Sequence, residues 1–300
     1  MASFAKASTQ ATRAIKYAIA INQTSHGKND GKIHSVATAD AYRGVLVNIA
    51  QWDKTNGGTG LKDFDNARAE AYLIERAEYV TQKTLDKDRQ ALQILPNVDK
   101  PERIKSEVTN TGLATQSRSY TPAQIKHIQA HQQSHNSLAT EVAYCGGLRA
   151  HELFTLALLA EQALSSHRTW SNERFEGRQA YISYSVIGKG GLTREVRLPK
   201  KLAQRLEATR YLTPKNVTDR GIHYQQRYNI GAGKAWSQSF SSASKREFGW
   251  STGAHGLRHS YAQERMKEIQ SLGHTYSSAL EIVSQEMGHF RADITEVYLR

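Results

Sequence analysis

The residues most able to do chemistry in this 300-residue chain lie in its second half. Tyr298 stands two residues before the end and nine after His289, in MGHFRADITEVYLR. A phenol becomes a useful nucleophile once a base removes its proton, which it ordinarily holds to about pH 10. Arg149, in GLRAHEL, and Arg258, in HGLRHSYA, carry planar forks that match the oxygens of an anion. His255 precedes Arg258 by three, so on a helix the two share a face, and with His289 it offers an imidazole for proton transfer. Lys189 sits at the tip of VIGKGGLTREVRLP, between two β-rich runs. Taken singly, each residue has a plain structural reading: a docked aromatic in a last helix, a solvated turn lysine, surface arginines, a chance His-Arg pair.

Their order is more specific than any one of them. Arg in GLRxxEL, Lys in a GKG turn, HxxR, GH and a Tyr nine residues later resemble the tyrosine recombinases, the phage-integrase family. The likeness is carried by GLRAHEL (147–153), IGKGGLTREVRLP (187–199), HGLRHSYA (255–262) and MGHFRADITEVY (287–298). It implies site-specific DNA recombination or integration through a 3′-phosphotyrosyl intermediate on Tyr298. Arg149 and Arg258 suit the non-bridging oxygens of the scissile phosphate, whose charge grows in the transition state. His289 adds a hydrogen bond there, and His255 suits proton exchange with the Tyr298 hydroxyl. The family implies Lys189 as the acid that protonates the departing 5′ oxygen, and makes Glu152 an orienting carboxylate. No metal or other cofactor is implied. A non-cleaving DNA-binding regulator with the same fold, or a type IB topoisomerase, would share much of this pattern.

Two stretches depart from the family's spacing. Arg149 to Lys189 spans 40 residues and Arg258 to His289 spans 31, both long, with the surplus expected in SSHRTWSNERFEG (165–177) and KEIQSLGHTYSS (267–278). SLGH (271–274) imitates the family's Gly-His, but nine residues beyond His274 lies Val283, whereas nine beyond His289 lies Tyr298. Only Leu299 and Arg300 follow Tyr298, where family members usually continue into a segment that docks on a neighbouring subunit.

Composition agrees with a DNA partner. Forty Lys and Arg against 28 Asp and Glu give +12, a field that favours a polyanion. No apolar run approaches the roughly 20 residues of a spanning helix, and the first residues lack the apolar core of a secretion signal, so a cytoplasmic protein is expected. The single Cys145, in the apolar run VAYCGG, excludes an internal disulfide framework and reads as a packed side chain. His127, His131 and His135 are four apart and could share a helix face as zinc ligands, but a solvated or phosphate-facing stripe is the simpler reading.

The expected fold is mainly α with a small β-hairpin, an α+β class: a SAM-like helical core-binding domain (1–98), a polar linker (99–120) and a catalytic domain (121–300). Helical periodicity covers 4–24, 36–53 and 63–95, the last with Asp63 as N-cap and a division near 85–86. Thr121-Pro122 opens the second domain as N-cap and first helical residue, and 121–164 reads as helical. Residues 178–199 form a hairpin closed by Pro199. Helices return at 200–210, 236–247, 257–271, 278–287 with Ser278 opening a capping box, and from 292. By the resemblance, the two domains grip opposite faces of the duplex, the target is an inverted-repeat site bound by a tetramer, and the helix in 236–249 lies against the major groove with Lys245 and Arg246 as contacts.

Overall fold

The structure is a computed structural model that describes residues 5–20, 32–108 and 117–300. They fall into two compact units, Met1–Ala114 and Thr115–Arg300.

The first unit is helical: α1 (Ala7–Ala18), α2 (Val36–Thr55), α3 (Asn66–Ala77) and α4 (Gln82–Leu92). Apolar residues three and four apart turn inward and close a core of Leu46, Ile49, Phe64, Tyr72, Leu73, Leu85 and Leu92. Asp65, not Asp63, caps α3 by accepting from the Arg68 amide at 3.0 Å. The break between α3 and α4 comes at residues 78–81, earlier than periodicity placed it, and Thr81 precedes the new helix. The first part of the polar segment 99–108 is tied to this unit: Arg103 forks onto Asp86, and the Ser106 hydroxyl donates to the Val80 carbonyl at 2.6 Å. Paired polar groups hold most of it, with Ile104 adding an apolar contact to the core, so periodicity could not register it.

In the second unit, α5 (Pro122–Ala130) opens as expected, with reciprocal hydrogen bonds between Thr121 and Gln124. Tyr120, just upstream, is buried edge-on to Phe240 at 5.2 Å and stacked on Trp250 at 5.4 Å. The helical run 121–164 is in fact broken. Helix α6 (Ser134–Gly146) ends at Gly147, whose φ of 57° is left-handed. A Cβ there would come within 2.6 Å of the Tyr261 ring, so the stop needs glycine. The chain then turns through one short 3-10 turn (Glu152–Phe154) into β1 (Ala157–Leu158).

Strands β2 (Ile182–Ile187) and β3 (Thr193–Leu198) form the expected hairpin, and β1 pairs antiparallel on the far side of β2. After α7 (Lys200–Glu207) comes a hairpin that periodicity missed, β4 (Arg210–Asp219) and β5 (Ile222–Tyr228). Its first strand is almost wholly exposed, contains Pro214 and is irregular between Arg210 and Lys215, so no alternation marks it. Arg220 and Gly221, both at positive φ, make its two-residue turn.

Four helices complete the unit: α8 (Gly233–Phe248), α9 (Gly256–Ser271), α10 (Tyr276–Glu286) and α11 (Ala292–Glu296), the last continued by a 3-10 turn over Val297–Leu299. Thr275, not Ser278, caps α10, and its hydroxyl accepts from the Ser278 amide at 3.2 Å. Among the described residues no helix is long and apolar enough to cross a membrane.

Phe240 is fully buried between Tyr120 and Trp236 at the centre of the larger core. Replacing Phe240 by Ala should cost about 3–5 kcal/mol through lost burial and a residual cavity. Urea denaturation of the two proteins measures it.

Candidate active site

The site is assembled where the chain turns after α6, at the start of α9, between α10 and α11, and on β3. Its centre is Glu152, fully buried on the turn after α6. Its carboxylate accepts from the Arg149 amide at 2.9 Å, Arg149 Nη1 at 2.8 Å and Arg194 Nη2 at 2.8 Å. Burial alone would raise its proton affinity, but Arg194, Arg258 and Arg149 together hold it far below the usual carboxylate range.

Arg258 enters from the first turn of α9 and is completely buried. Its guanidinium donates to the carbonyls of Gly147 and Met287, and Nη2 donates to His289 Nε2 at 3.0 Å. Burial, then the neighbouring Arg149 and Arg194 charges, push its pKa down to about 9. Arg194, 1% exposed, donates to the Glu286 carbonyl at 2.7 Å, the Gly147 carbonyl at 3.2 Å and Glu152. Three guanidiniums therefore surround one carboxylate. The Nε atoms of Arg194 and Arg258 are buried and have no hydrogen-bond partner among the described residues.

His289 sits on the turn after α10, which Gly288 makes possible with φ 72°. A Cβ on Gly288 would meet Arg194 Cδ at 2.9 Å. Because arginine only donates, His289 Nε2 is an acceptor and the neutral ring carries its proton on Nδ1, 3.2 Å from the Thr295 hydroxyl of α11. Burial, then Arg258 and Arg149, lower its pKa to about 3.

Tyr298 lies in the turn after α11, partly buried among three imidazoles. Its ring stacks on His289 at 5.1 Å and lies 5.5 Å from His255 and 4.7 Å from His259, centroid to centroid. The Arg258 guanidinium is 5.6 Å from the same ring. Gln263 donates to the Tyr298 carbonyl at 3.2 Å, tying this turn to α9. One side of His255 is open to solvent, yet the surrounding protein, then Arg258 and His259, lower its pKa to about 4.

Arg149, His255, Arg258, His289 and Tyr298 thus come together from four separate segments. Lys189 occupies the tip of the β2–β3 hairpin, where Gly190 and Gly191 both take positive φ, and its side chain lies outside the described residues. A cleft of about 390 Å³ opens beside the cluster, lined by Arg149, Gly188, Arg194, His289 and Arg291 among others.

Three contributors escaped the sequence reading. Arg194 alternates in phase with the buried Val196 and Leu198 on β3, a pattern that marks a paired, inward arginine. His259 follows His255 by four on the helical face that carries Arg258. It is buried, its Nδ1 has no hydrogen-bond partner among the described residues, and its ring also meets the Tyr298 main chain. Arg118, in the segment read as linker, helps to depress both His255 and His259.

Lys245 and Arg246 lie exposed near the end of α8, where Arg246 Nη2 donates to the His131 carbonyl at 2.9 Å. A separate groove of about 290 Å³ runs along the first half of α8, lined by Arg220, Lys234, Ser237, Gln238, Ser241 and Ser242. His127 and His131 face Glu247 at 3.1 and 3.3 Å, while His135 belongs to the next helix and leaves the stripe. Among the described residues no group of three or more such side chains is arranged to hold a metal ion. Cys145 packs against the core, and burial raises its thiol to about 12.

The fold that carries this cluster is that of the tyrosine recombinases. The XerH site-specific recombinase bound to palindromic difH substrate in a post-cleavage complex aligns with a TM-score of 0.52 and 14% identity over 100% of this chain and 94% of that one. The Tn1549 transposon integrase in complex with transposon right end DNA aligns at 0.50 and 14%, over 98% and 95% of the two chains. A lambda integrase dimer bound to a COC′ core site aligns at 0.50 and 15%, over 97% and 94%. No protein-family model and no curated protein matches the sequence.

Removing the central carboxylate tests the charge balance. Glu152→Gln leaves two buried guanidiniums without their anion and should destabilise the second unit by about 3–5 kcal/mol, read as a fall in the urea midpoint. The histidines set a pH dependence. His255, His259 and His289 stay neutral in the folded protein down to about 4, 4 and 3, while an unfolded histidine takes up its proton near 6.5. Stability from this source is complete above about pH 6.5 and is lost as pH falls toward 4. The melting temperature should therefore drop between pH 7 and 5, and His289→Asn should flatten the drop.

Proposed function

We propose that this chain is a site-specific DNA recombinase or integrase that cuts and rejoins DNA through a 3′-phosphotyrosyl intermediate on Tyr298. The observation that carries the reading is the convergence of Arg258, His255 and His289 around the Tyr298 ring, beside a cleft with an excess of positive charge that Arg149 and His289 both line.

In this reading a phosphodiester enters the cleft and its non-bridging oxygens take the guanidiniums of Arg149 and Arg258, which stabilise the charge that grows as phosphorus is attacked. The Arg258–His289 contact is exchanged for contacts to phosphate, and the anion raises the proton affinity of His289 so that it too donates. His255, neutral at pH 7, has a lone pair ready for the phenolic proton. The Tyr298 Oη–P bond forms as the P–O5′ bond breaks, and Lys189 on the β2–β3 hairpin delivers a proton to O5′. Attack by a 5′ hydroxyl on the phosphotyrosine reverses these steps and joins a new strand, with no nucleotide energy source. Glu152 orients Arg149 and takes no proton.

Binding is assigned to both units. The helical unit serves as the core-binding domain. In the second unit, the groove along α8 with Arg220 and Lys234, and further on Lys245 and Arg246, contacts the duplex. Affinity should come mostly from phosphate contacts and weaken steeply with salt. The expected target is an inverted repeat held by a homo-oligomer of four subunits.

The test is a nicked suicide duplex built from an inverted repeat beside the protein's own gene. The wild-type protein should form an SDS-resistant covalent adduct, Tyr298→Phe should form none, and Arg149→Ala should slow its formation by about 100- to 1,000-fold. Binding to the repeat with no adduct at any protein concentration would sink the reading.

A further inference from the structure

The surplus segment between β1 and β2 has a local architecture of its own. Phe175 is buried with positive φ, and the guanidiniums of Arg197 and Arg174 lie 4.9 Å and 5.7 Å from its ring centroid. Arg174 also lies over Trp170 at 4.5 Å. Two amides of this segment donate to the last residues of α10: Ser171 N–H to Gln285 Oε1 at 2.8 Å and Phe175 N–H to Glu286 Oε1 at 2.7 Å. Glu286 is fully buried, and Arg265 and the Tyr261 hydroxyl, both from α9, hold its carboxylate as well. The same segment reaches the second surplus stretch, where Glu176 pairs with His274 at 2.6 Å.

The contact nearest the chemistry is made by Trp170. Its ring lies 4.8 Å from that of Phe290, and the Arg168 guanidinium lies 5.0 Å over Phe290. Phe290 is adjacent to His289 and takes φ 55°, a conformation that costs a non-glycine residue on the order of 1–3 kcal/mol and persists only where neighbours impose it. The turn 287–291 thus has two sides. Inward it presents the Met287 carbonyl to Arg258 and the His289 ring to Tyr298; outward it is gripped by 165–177.

We propose that segment 165–177 is a brace that positions His289 for reaction, with Trp170 as its positioning residue acting through Phe290. The proposal rests on the reading of His289 as a ligand of the scissile phosphate. Trp170 itself touches no reacting atom. What it supplies is the strained backbone at residue 290, without which the turn relaxes and the imidazole leaves its place between Arg258 and Tyr298. Misplacement of a catalytic group by about 1 Å costs roughly 100-fold in rate, so loss of the brace should appear in the chemical step rather than in binding.

The experiment compares Trp170→Ala and Trp170→Phe with the wild-type protein in single-turnover adduct formation on the suicide duplex. At saturating protein, Trp170→Ala should cut at least tenfold more slowly, its Kd for the duplex should change less than about twofold, and Trp170→Phe should recover most of the rate. An unchanged rate in Trp170→Ala, or a loss explained by weaker binding, overturns the proposal. A second readout needs no cleavage: the His289 ring resonances are followed by NMR titration in the free proteins. In the wild-type protein the ring should stay neutral to about pH 3, and in Trp170→Ala its midpoint should move up toward 6.5. An unmoved midpoint overturns the brace even where the wild-type protein forms no adduct, an outcome that would count separately against the recombinase reading.

Discussion

The buried carboxylate of Glu152 is the contact on which the rest of the second unit depends. Arginines sharing a water-poor volume repel one another, and Arg258 holds its own proton less tightly because of burial first and the Arg149 and Arg194 charges second. Glu152 supplies one negative charge to Arg149, Arg194 and Arg258, enough to let them share the space and too little to neutralise them. Much of the remaining solvation comes from backbone. The Gly147 carbonyl lies at the end of α6, and those of Glu286 and Met287 at the end of α10, where unsatisfied carbonyls give a helix its negative pole. Two helix ends and one carboxylate thus hold a cluster that stays electropositive, which is the condition for capturing a phosphodiester.

The same arrangement accounts for where the chain must stop and turn. Helix α6 cannot continue past Gly147, because its last carbonyl is needed by Arg194 and Arg258, and α10 ends where its carbonyls meet the same two arginines. Glycines with positive φ at 147 and 288 allow both stops within one residue. The three-stranded sheet contributes Arg194 from β3 and carries the Lys189 turn at the same end of that strand. Architecture and electrostatics are one problem here: each element ends at a residue that the guanidiniums require.

Much of this was legible in the chain itself. The nine-residue step from His289 to Tyr298, the HxxR pair, the 182–198 hairpin and the Thr121-Pro122 helix start all correspond to features of the structure. They were readable because each depends on local spacing or on local turn chemistry. Arg194 is in phase with the inward Val196 and Leu198, but that alternation does not name its partner, 42 residues away. His259 was passed over because only the folded position of the last turn gives it a neighbour. The β4–β5 hairpin left no trace in hydropathy, since both faces of β4 meet solvent. Capping was off by two or three residues at Asp63 and Ser278, where the neighbouring Asp65 and Thr275 offered better-placed oxygens.

The hydrogen bond from His289 to Thr295 joins two things usually treated apart, a proton and a helix. Thr295 belongs to α11, the helix that delivers Tyr298, and its hydroxyl is the partner of the Nδ1 proton that the Arg258 contact at Nε2 dictates. When α11 withdraws, that partner goes with it while Arg258 still holds Nε2, so the tautomer stays and the ring loses one of its two anchors. The freedom of one imidazole to turn is thereby a record of whether the nucleophile is in place.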